Sequence, residues 1–290
     1  QLLILSQSLL SNMLIIKDIN NLKNYINQYK SENRSIGMIP TMGALHDGHG
    51  ALIKSSKEHN DKTIMSIFIN PKQFNNKDDL SSYPINKGSD YDYAIKNNVD
   101  IVFEPDQKKI YPKNFQSIKN SFYKNILCDL YRPGHFDGVI TVVNELLNLT
   151  SPNKVYFGLK DYQQFKIIEK LIDKSFSNIQ IYGVETVRDQ DGLALSSRNK
   201  FINKPNRLIY INFINTLNKF ILSIDPETEI KDANQKLDKF IKENIDQIKK
   251  LEYCEFRSIQ DMSINGKVKN SRLFTAFYIL GTRLIDNLKA

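Results

Sequence analysis

Hydrophobic and polar positions along the chain follow two periods, and the change from one to the other separates its elements. From Met13 onward, short β-branched apolar runs alternate with segments whose apolar residues recur every three to four positions, the pattern of an α/β domain around a mainly parallel sheet. The predicted strands are 35–39, 63–69, 101–103, 155–157 and 179–184. Each is almost continuously apolar, as a strand covered on both faces must be. Helical stripes fall at Val139, Val142, Val143, Leu146 and Leu147, and again at Phe165, Ile168, Leu171 and Ile172, and these read as core. Residues 188–199 keep neither period, are charged and contain Gly192, so they read as a hinge-like loop with a domain boundary beside it. Two long helical patterns follow, at about 206–224 and 230–248, and then strand-like runs at 251–256, 274–280 and 283–288. The expected organisation is an N-terminal extension over 1–12, a parallel-sheet domain over 13–186 and a smaller α+β domain over 187–290.

Composition narrows the class. The chain has 290 residues, enough for a substantial core, and no apolar run near the roughly 18–20 residues that a spanning helix needs, so no membrane protein is expected. A signal peptide is not expected either, because no basic residue precedes the first apolar stretch and no small-residue cleavage site follows it. Two cysteines, Cys128 and Cys254, are too few for a disulfide framework and too far apart for a redox pair, which points to a reducing cytoplasm. The net charge of +8 favours anionic partners such as nucleotides, phosphorylated substrates or nucleic acid. Lys and Asn are abundant everywhere, however, so compositional bias accounts for that charge equally well.

The first strand runs into Pro40-Thr41-Met42-Gly43-Ala44-Leu45-His46-Asp47-Gly48-His49 and then a helical stretch over 51–59. A strand, a Gly-containing turn and a helix start place backbone N–H groups and the positive end of a helix dipole at the carboxyl edge of the sheet, where phosphate binds. His46 and His49, three apart on a first helical turn, project from one face and can donate to the same phosphate. A surface pair or a partial zinc site is the alternative for that spacing. The second strand ends at Asn70-Pro71-Lys72-Gln73-Phe74, whose amides suit a hydroxyl or carboxylate and face the same crevice, unless Asn-Pro is simply a turn. Arg132-Pro133-Gly134-His135-Phe136-Asp137-Gly138 reads as a tight loop into the next helix, with Asp137 as a cap or a direct participant. After the fourth strand, Lys160, Asp161 and Gln164 have the spacing to converge on one ligand, and a lysine at a helix start is better explained by a polyphosphate than by stability. Ser196-Ser197-Arg198 in the hinge-like loop can clamp phosphate.

Taken together, residues 40–49, 70–74, 132–138, 158–164, 191–199, 251–257 and 281–287 closely resemble the pantothenate synthetase family, in order and over nearly the whole chain. The resemblance implies a Rossmann-type nucleotidyltransferase domain with a C-terminal lid, a homodimer, and ATP-dependent ligation of pantoate and β-alanine with Mg2+, a step of pantothenate and coenzyme A biosynthesis. It implies that His46, His49 and Lys160 are catalytic. Met42, Gly43, Ala44, Leu45, Asp47, Gly48, Gly158, Leu159, Asp161, Val187, Leu195, Ser196, Ser197 and Arg198 would line the ATP site with them. Gln73 and Gln164 would hold pantoate with Asn70 beside them, and the identity of the metal ligands stays open. Other adenylyltransferases share H-x-G-H but lack the 70–74 and 160–164 combination. A non-catalytic nucleic-acid-binding protein is the rival from another class, and it is not expected. Three positions depart from the family pattern: Gly50 stands where a larger apolar residue is usual, Leu159 where glutamate is usual and Leu195 where methionine is usual.

Overall fold

A computed structural model describes residues 13–75, 77–245 and 247–290. The expected extension over 1–12 lies outside the described residues. In chain order the elements are β1 (Leu14–Ile16), α1 (Ile19–Ser31), β2 (Ile36–Thr41), α2 (Asp47–His59), β3 (Lys62–Ile67), α3 (Lys77–Ser81), α4 (Lys87–Lys96), β4 (Ile101–Phe103), α5 (Gln107–Ile110), α6 (Leu127–Tyr131), α7 (His135–Thr150), β5 (Lys154–Gly158), α8 (Tyr162–Ser175) and β6 (Gln180–Val184). They continue with α9 (Lys204–Ser223), α10 (Ile230–Asn244), β7 (Lys250–Ser258), β8 (Ser271–Ile279) and β9 (Thr282–Lys289). The chain forms two compact units. One holds the described residues up to Ile118 with Asp137–Phe157 and Leu171–Val184, and the other holds Lys119–Phe136, Gly158–Lys170 and Glu185–Ala290.

The first unit is built on a sheet of order β1-β4-β3-β2-β5-β6, in which β1 pairs with β4, β4 with β3, and β2 with both β3 and β5, all in parallel. The order reverses between β2 and β5, so β2 opens at a topological switch point, where α/β sheets bind ligands beyond their carboxyl ends. Ile36, Met38, Ile39, Ile64, Met65, Ile101, Val102 and Phe103 are fully buried, which is why these strands read as continuous apolar runs. β1 escaped the sequence reading because, unlike the equally short but fully buried β4, it is an edge strand with Ile15 exposed, and lacks the flanking signature of a covered strand.

The second unit carries the antiparallel sheet β7-β8-β9, with Phe274 opposite Asn287 and Thr275 opposite Asp286. Tyr210, Phe213 and Leu217 of α9 and Leu237 of α10 join Phe256, Leu273 and Phe277 in one core. α10 ends at Asn244, short of the predicted 248, because Ile245 is already extended while Ile245 and Ile248 still pack on that core and prolong the apparent period. The expected hinge-like loop is instead a pinned hairpin. Leu195 N–H donates to Val187 O at 3.0 Å and Asp189 N–H to Leu193 O at 2.8 Å, Gly192 turns at φ +90, and Leu193 and Ala194 are buried in the core. Arg207 bridges Asp189 and Asp191, and Arg188 pairs with Asp286.

Candidate active site

The turn after β2 is held almost entirely from within. Thr41 Oγ1 accepts the Gly43 N–H at 3.2 Å, and the carboxylate of Asp90, 4% exposed at the start of α4, accepts the N–H groups of Ala44 at 3.0 Å and Leu45 at 2.7 Å. Gly43, at φ +83, is required because a Cβ there would lie 2.8 Å from Asp90 Oδ2. The sequence reading expects these backbone donors to await phosphate; the structure gives them internal acceptors.

His46 is the N-cap of α2 and not a residue of its first turn, which corrects the spacing argument. Its Nδ1 accepts the Gly48 N–H at 3.1 Å, and the Nδ1 of His49, at the third helical position, accepts the His46 N–H at 3.2 Å. Two imidazoles thus form the reciprocal capping box that Ser/Thr and Glu/Gln usually make. The consequence is chemical. A nitrogen that accepts an N–H carries no proton, so each neutral ring presents Nε2–H as its donor. Desolvation and the neighbouring imidazole, with ring centroids 4.3 Å apart, push His49 down to about 3, which keeps it in the neutral form that the cap needs.

Gly50 has a physical reason here. A Cβ would lie 2.4 Å from Tyr93 Oη, and that hydroxyl donates to Asp47 Oδ1 at 2.9 Å. Burial and the bond to Asp47 raise Tyr93 to about 12, so it stays a donor. The small residue admits a brace across the first turn of α2.

Asn70, 1% exposed, ends the segment after β3 with all four of its hydrogen-bonding positions used. Its Oδ1 accepts from Lys72 N–H at 3.2 Å and from the Tyr111 hydroxyl at 2.8 Å, and its Nδ2 donates to Gly138 O at 2.9 Å and Gln73 Oε1 at 3.1 Å. Asn70 therefore fixes Gln73 and has no capacity left for a ligand. Gln73 Nε2 in turn donates to Met42 Sδ at 2.9 Å, so the 70–74 turn lies beside the turn after β2, as the sequence reading expects. Gly138 makes this possible, since a Cβ there would lie 2.3 Å from Lys72 O. Asp137 lies inside the first turn of α7 and is not its cap.

In the second unit, Leu159–Asp161 forms one 3-10 turn that leads into α8. Lys160, Asp161 and Gln164 line one narrow cavity with Arg132, His135 and Tyr253. The cation, carboxylate and amide that the sequence spacing groups together share this cavity, with Lys160 Nζ 4.0 Å from Asp161 Oδ2. Gln163, their neighbour, is structural, accepting the Cys128 N–H at 2.9 Å and donating to Ile126 O at 3.0 Å. Ser196 caps the turn Ser197–Phe201 by accepting the Arg198 N–H at 3.3 Å, and Asn199 Nδ2 donates to Ala194 O at 3.0 Å. At the Leu159 departure the backbone is engaged, for Leu159 O and Lys160 O both accept from Asn287 Nδ2 at 2.9 Å.

Asp90, Tyr93, Tyr111 and Asn287 are absent from the sequence reading, and local spacing carries no signal for them. Each lies more than 30 positions from the segment it holds, and only Asn287 falls in a family-like stretch. Among the described residues no helix is long and apolar enough to cross a membrane, and no three His, Cys, Asp or Glu are grouped to hold a metal ion.

The chain matches the pantoate-beta-alanine ligase family over residues 14–289. It is 38% identical over 278 residues to a pantothenate synthetase of Clostridium botulinum (strain Kyoto / Type A2), covering 95% of this chain and 98% of the relative. The crystal structure of pantothenate synthetase from Thermus thermophilus superposes with a TM-score of 0.84 at 28% identity, over 96% of this chain and 99% of that one. The pantoate-beta-alanine ligase of Francisella tularensis, solved in complex with beta-gamma ATP and beta-alanine, gives a TM-score of 0.78 at 37% identity, over 96% and 97%.

Proposed function

From the premise that this chain belongs to the pantoate-beta-alanine ligase family, we propose that it condenses pantoate with β-alanine through a pantoyl adenylate. The observation that supports it best is the pair of neutral imidazoles whose Nδ1 atoms are committed to the backbone, which leaves Nε2–H as a fixed donor on each ring.

In this reading a pantoate carboxylate oxygen bonds to the α-phosphorus of ATP as the bond to the β-phosphate oxygen breaks, and pyrophosphate leaves with the electron pair. The β-alanine amine then attacks the acyl carbon, the bond to AMP breaks, and the nitrogen loses a proton to give the amide. Lys160 offsets charge on the crowded α-phosphoryl oxygens, and His46 and His49 donate to the phosphates. Ser196, Ser197 and Arg198 hold the departing pyrophosphate. These are positioning and electrostatic effects, which suit phosphorus transfer. Met42–His49, Gly158–Asp161, Val187 and Leu195 line the nucleotide. Gln73 and Gln164 hold pantoate, with Asn70 acting through Gln73.

Mg2+ suits this donor set as an ion carried by the ATP phosphates and water, because magnesium seldom relies on an all-protein cage. Bound with ATP, it would neutralise phosphate charge. The same proposal includes a homodimer, a cytoplasmic location, no nucleic-acid partner, and a functional division into an ATP- and pantoate-binding domain over 13–186 and a lid over 187–290. Pantoate labelled with 18O in its carboxylate tests the chemistry. One label should appear in AMP for each pantothenate formed, and unlabelled AMP, or ADP as the nucleotide product, would overturn the reading.

A further inference from the structure

We propose that Asn287 is a positioning residue for Lys160, an inference that rests on the role given to Lys160 above. Asn287 lies on β9, is 3% exposed, and directs its side chain at the segment that carries the lysine. Its Nδ2 donates to the consecutive carbonyls of Leu159 and Lys160, each at 2.9 Å. A single 3-10 turn has few hydrogen bonds of its own and poor geometry in those it has, and no side chain caps this one, so an outside clamp decides where its backbone sits.

The clamp is itself clamped. Asn287 Oδ1 accepts from Arg272 Nη1 at 2.7 Å, which fixes the orientation of the amide and directs its two donors at the turn. The Arg272 guanidinium lies 4.9 Å from the ring centroid of Tyr162, the first residue of α8, and so ties the same turn from its other end. The Asn287 backbone N–H donates to Asp286 Oδ1 at 2.8 Å, and the Asp286 carboxylate is gripped by Arg188 at 2.8 and 2.9 Å and by the Tyr210 hydroxyl at 2.6 Å. β9 also packs against the turn Ser197–Phe201, so one strand sets the positions of both phosphate-directed elements of this unit.

Only a neutral amide fits this role, because it offers two donors to the carbonyls and an acceptor to the guanidinium. Aspartate has the same shape but would face two carbonyl oxygens with an oxygen. Asn287 is remote from the chemistry in this account, yet a displacement of about 1 Å in a reacting group can cost on the order of 100-fold in rate.

Steady-state kinetics with thermal melts test the proposal on wild type, Asn287→Ala, Asn287→Asp, Lys160→Ala and the Lys160→Ala/Asn287→Ala double variant. The folded Asn287 variants should lose about 10- to 100-fold in kcat while KM for ATP and pantoate stays within about threefold. In the Lys160→Ala background, Asn287→Ala should change kcat less than about twofold, because the group it positions is gone. Wild-type kcat in a folded Asn287→Ala, or a loss that multiplies in full onto that of Lys160→Ala, overturns the proposal. If Asn287→Ala does not fold at the assay temperature, Asn287→Asp and Asn287→Ser are judged by the same criterion. Failure of all three to fold makes Asn287 structural and also overturns it. A Lys160→Ala enzyme that keeps more than about a tenth of wild-type kcat removes the role of Lys160 itself, an outcome distinct from full-loss Lys160→Ala beside an unaffected Asn287→Ala.

Discussion

His49 Nδ1 accepts the backbone N–H of His46 at 3.2 Å, so the residue proposed to bind phosphate also closes the helix start on which it is mounted. Structure and chemistry depend on the same protonation state. A protonated His49 would present a proton to a donor and open the cap.

That dependence predicts how stability varies with pH. His49 lies well below its ordinary 6.5 in the folded chain, at about 3, so the unfolded chain binds the proton more readily between those values. Its contribution to stability is complete above about pH 6.5 and is lost as the pH falls from there towards 3. His49→Gln keeps a capping side chain at the third helical position without a titrating group. Urea unfolding at pH 7.5 and pH 5 should show a smaller loss in His49→Gln than in wild type, together with weakened ATP binding at both pH values. Equal losses would contradict the assignment.

Gly50 and Tyr93 should behave as a coupled pair. An exposed Gly→Ala change inside a helix normally gains up to about 1 kcal/mol. Here the Cβ meets the Tyr93 hydroxyl, so Gly50→Ala should destabilise by about 1–3 kcal/mol, the range for overpacking. In Tyr93→Phe the same change should be neutral or stabilising. Denaturation midpoints of the four proteins measure this, and a Gly50→Ala cost that is unchanged in Tyr93→Phe would refute the clash.

Asn70 and Gln73 should separate in their effects. Asn70→Ala leaves Tyr111 and Gly138 without a buried partner, and should cost about 1–3 kcal/mol of stability as well as raising KM for pantoate. Gln73→Ala should raise KM for pantoate with little change in melting temperature, and neither change should greatly alter ATP affinity by calorimetry. An Asn70→Ala protein as stable as wild type would show that the network is not holding the turn.

Lys160→Ala should stay folded and lose about 100-fold or more in kcat, as expected when one donor to a transition state is removed. Single-turnover measurement of AMP formation checks this. Retention of normal turnover would place the α-phosphoryl stabilisation elsewhere.

The central strands were legible in the sequence because parallel strands buried on both faces must be written in apolar residues, as Ile64, Met65 and Val102 are. The chemistry-bearing turns were legible for a different reason: His46, Gly48, His49, Lys160 and Gln164 are close in sequence, so their spacing alone suggests convergence. The residues that hold those turns were not. Asp90 looks like any acidic residue in a first helical turn, and Asn70 like the start of a turn, until the partners brought by the fold are seen. The same blindness made 188–199 read as a hinge, since Asp189 and Asp191 pair with an arginine on α9 and Arg188 pairs with Asp286 on β9.

Adenylation is the central claim, and isotope exchange tests it most directly. With pantoate and Mg2+ present and β-alanine absent, labelled pyrophosphate should enter ATP, because attack by the carboxylate at the α-phosphorus is reversible until the amine arrives. Omitting pantoate should abolish the exchange. Exchange that proceeds without pantoate, or that appears only when β-alanine is added, would contradict the account.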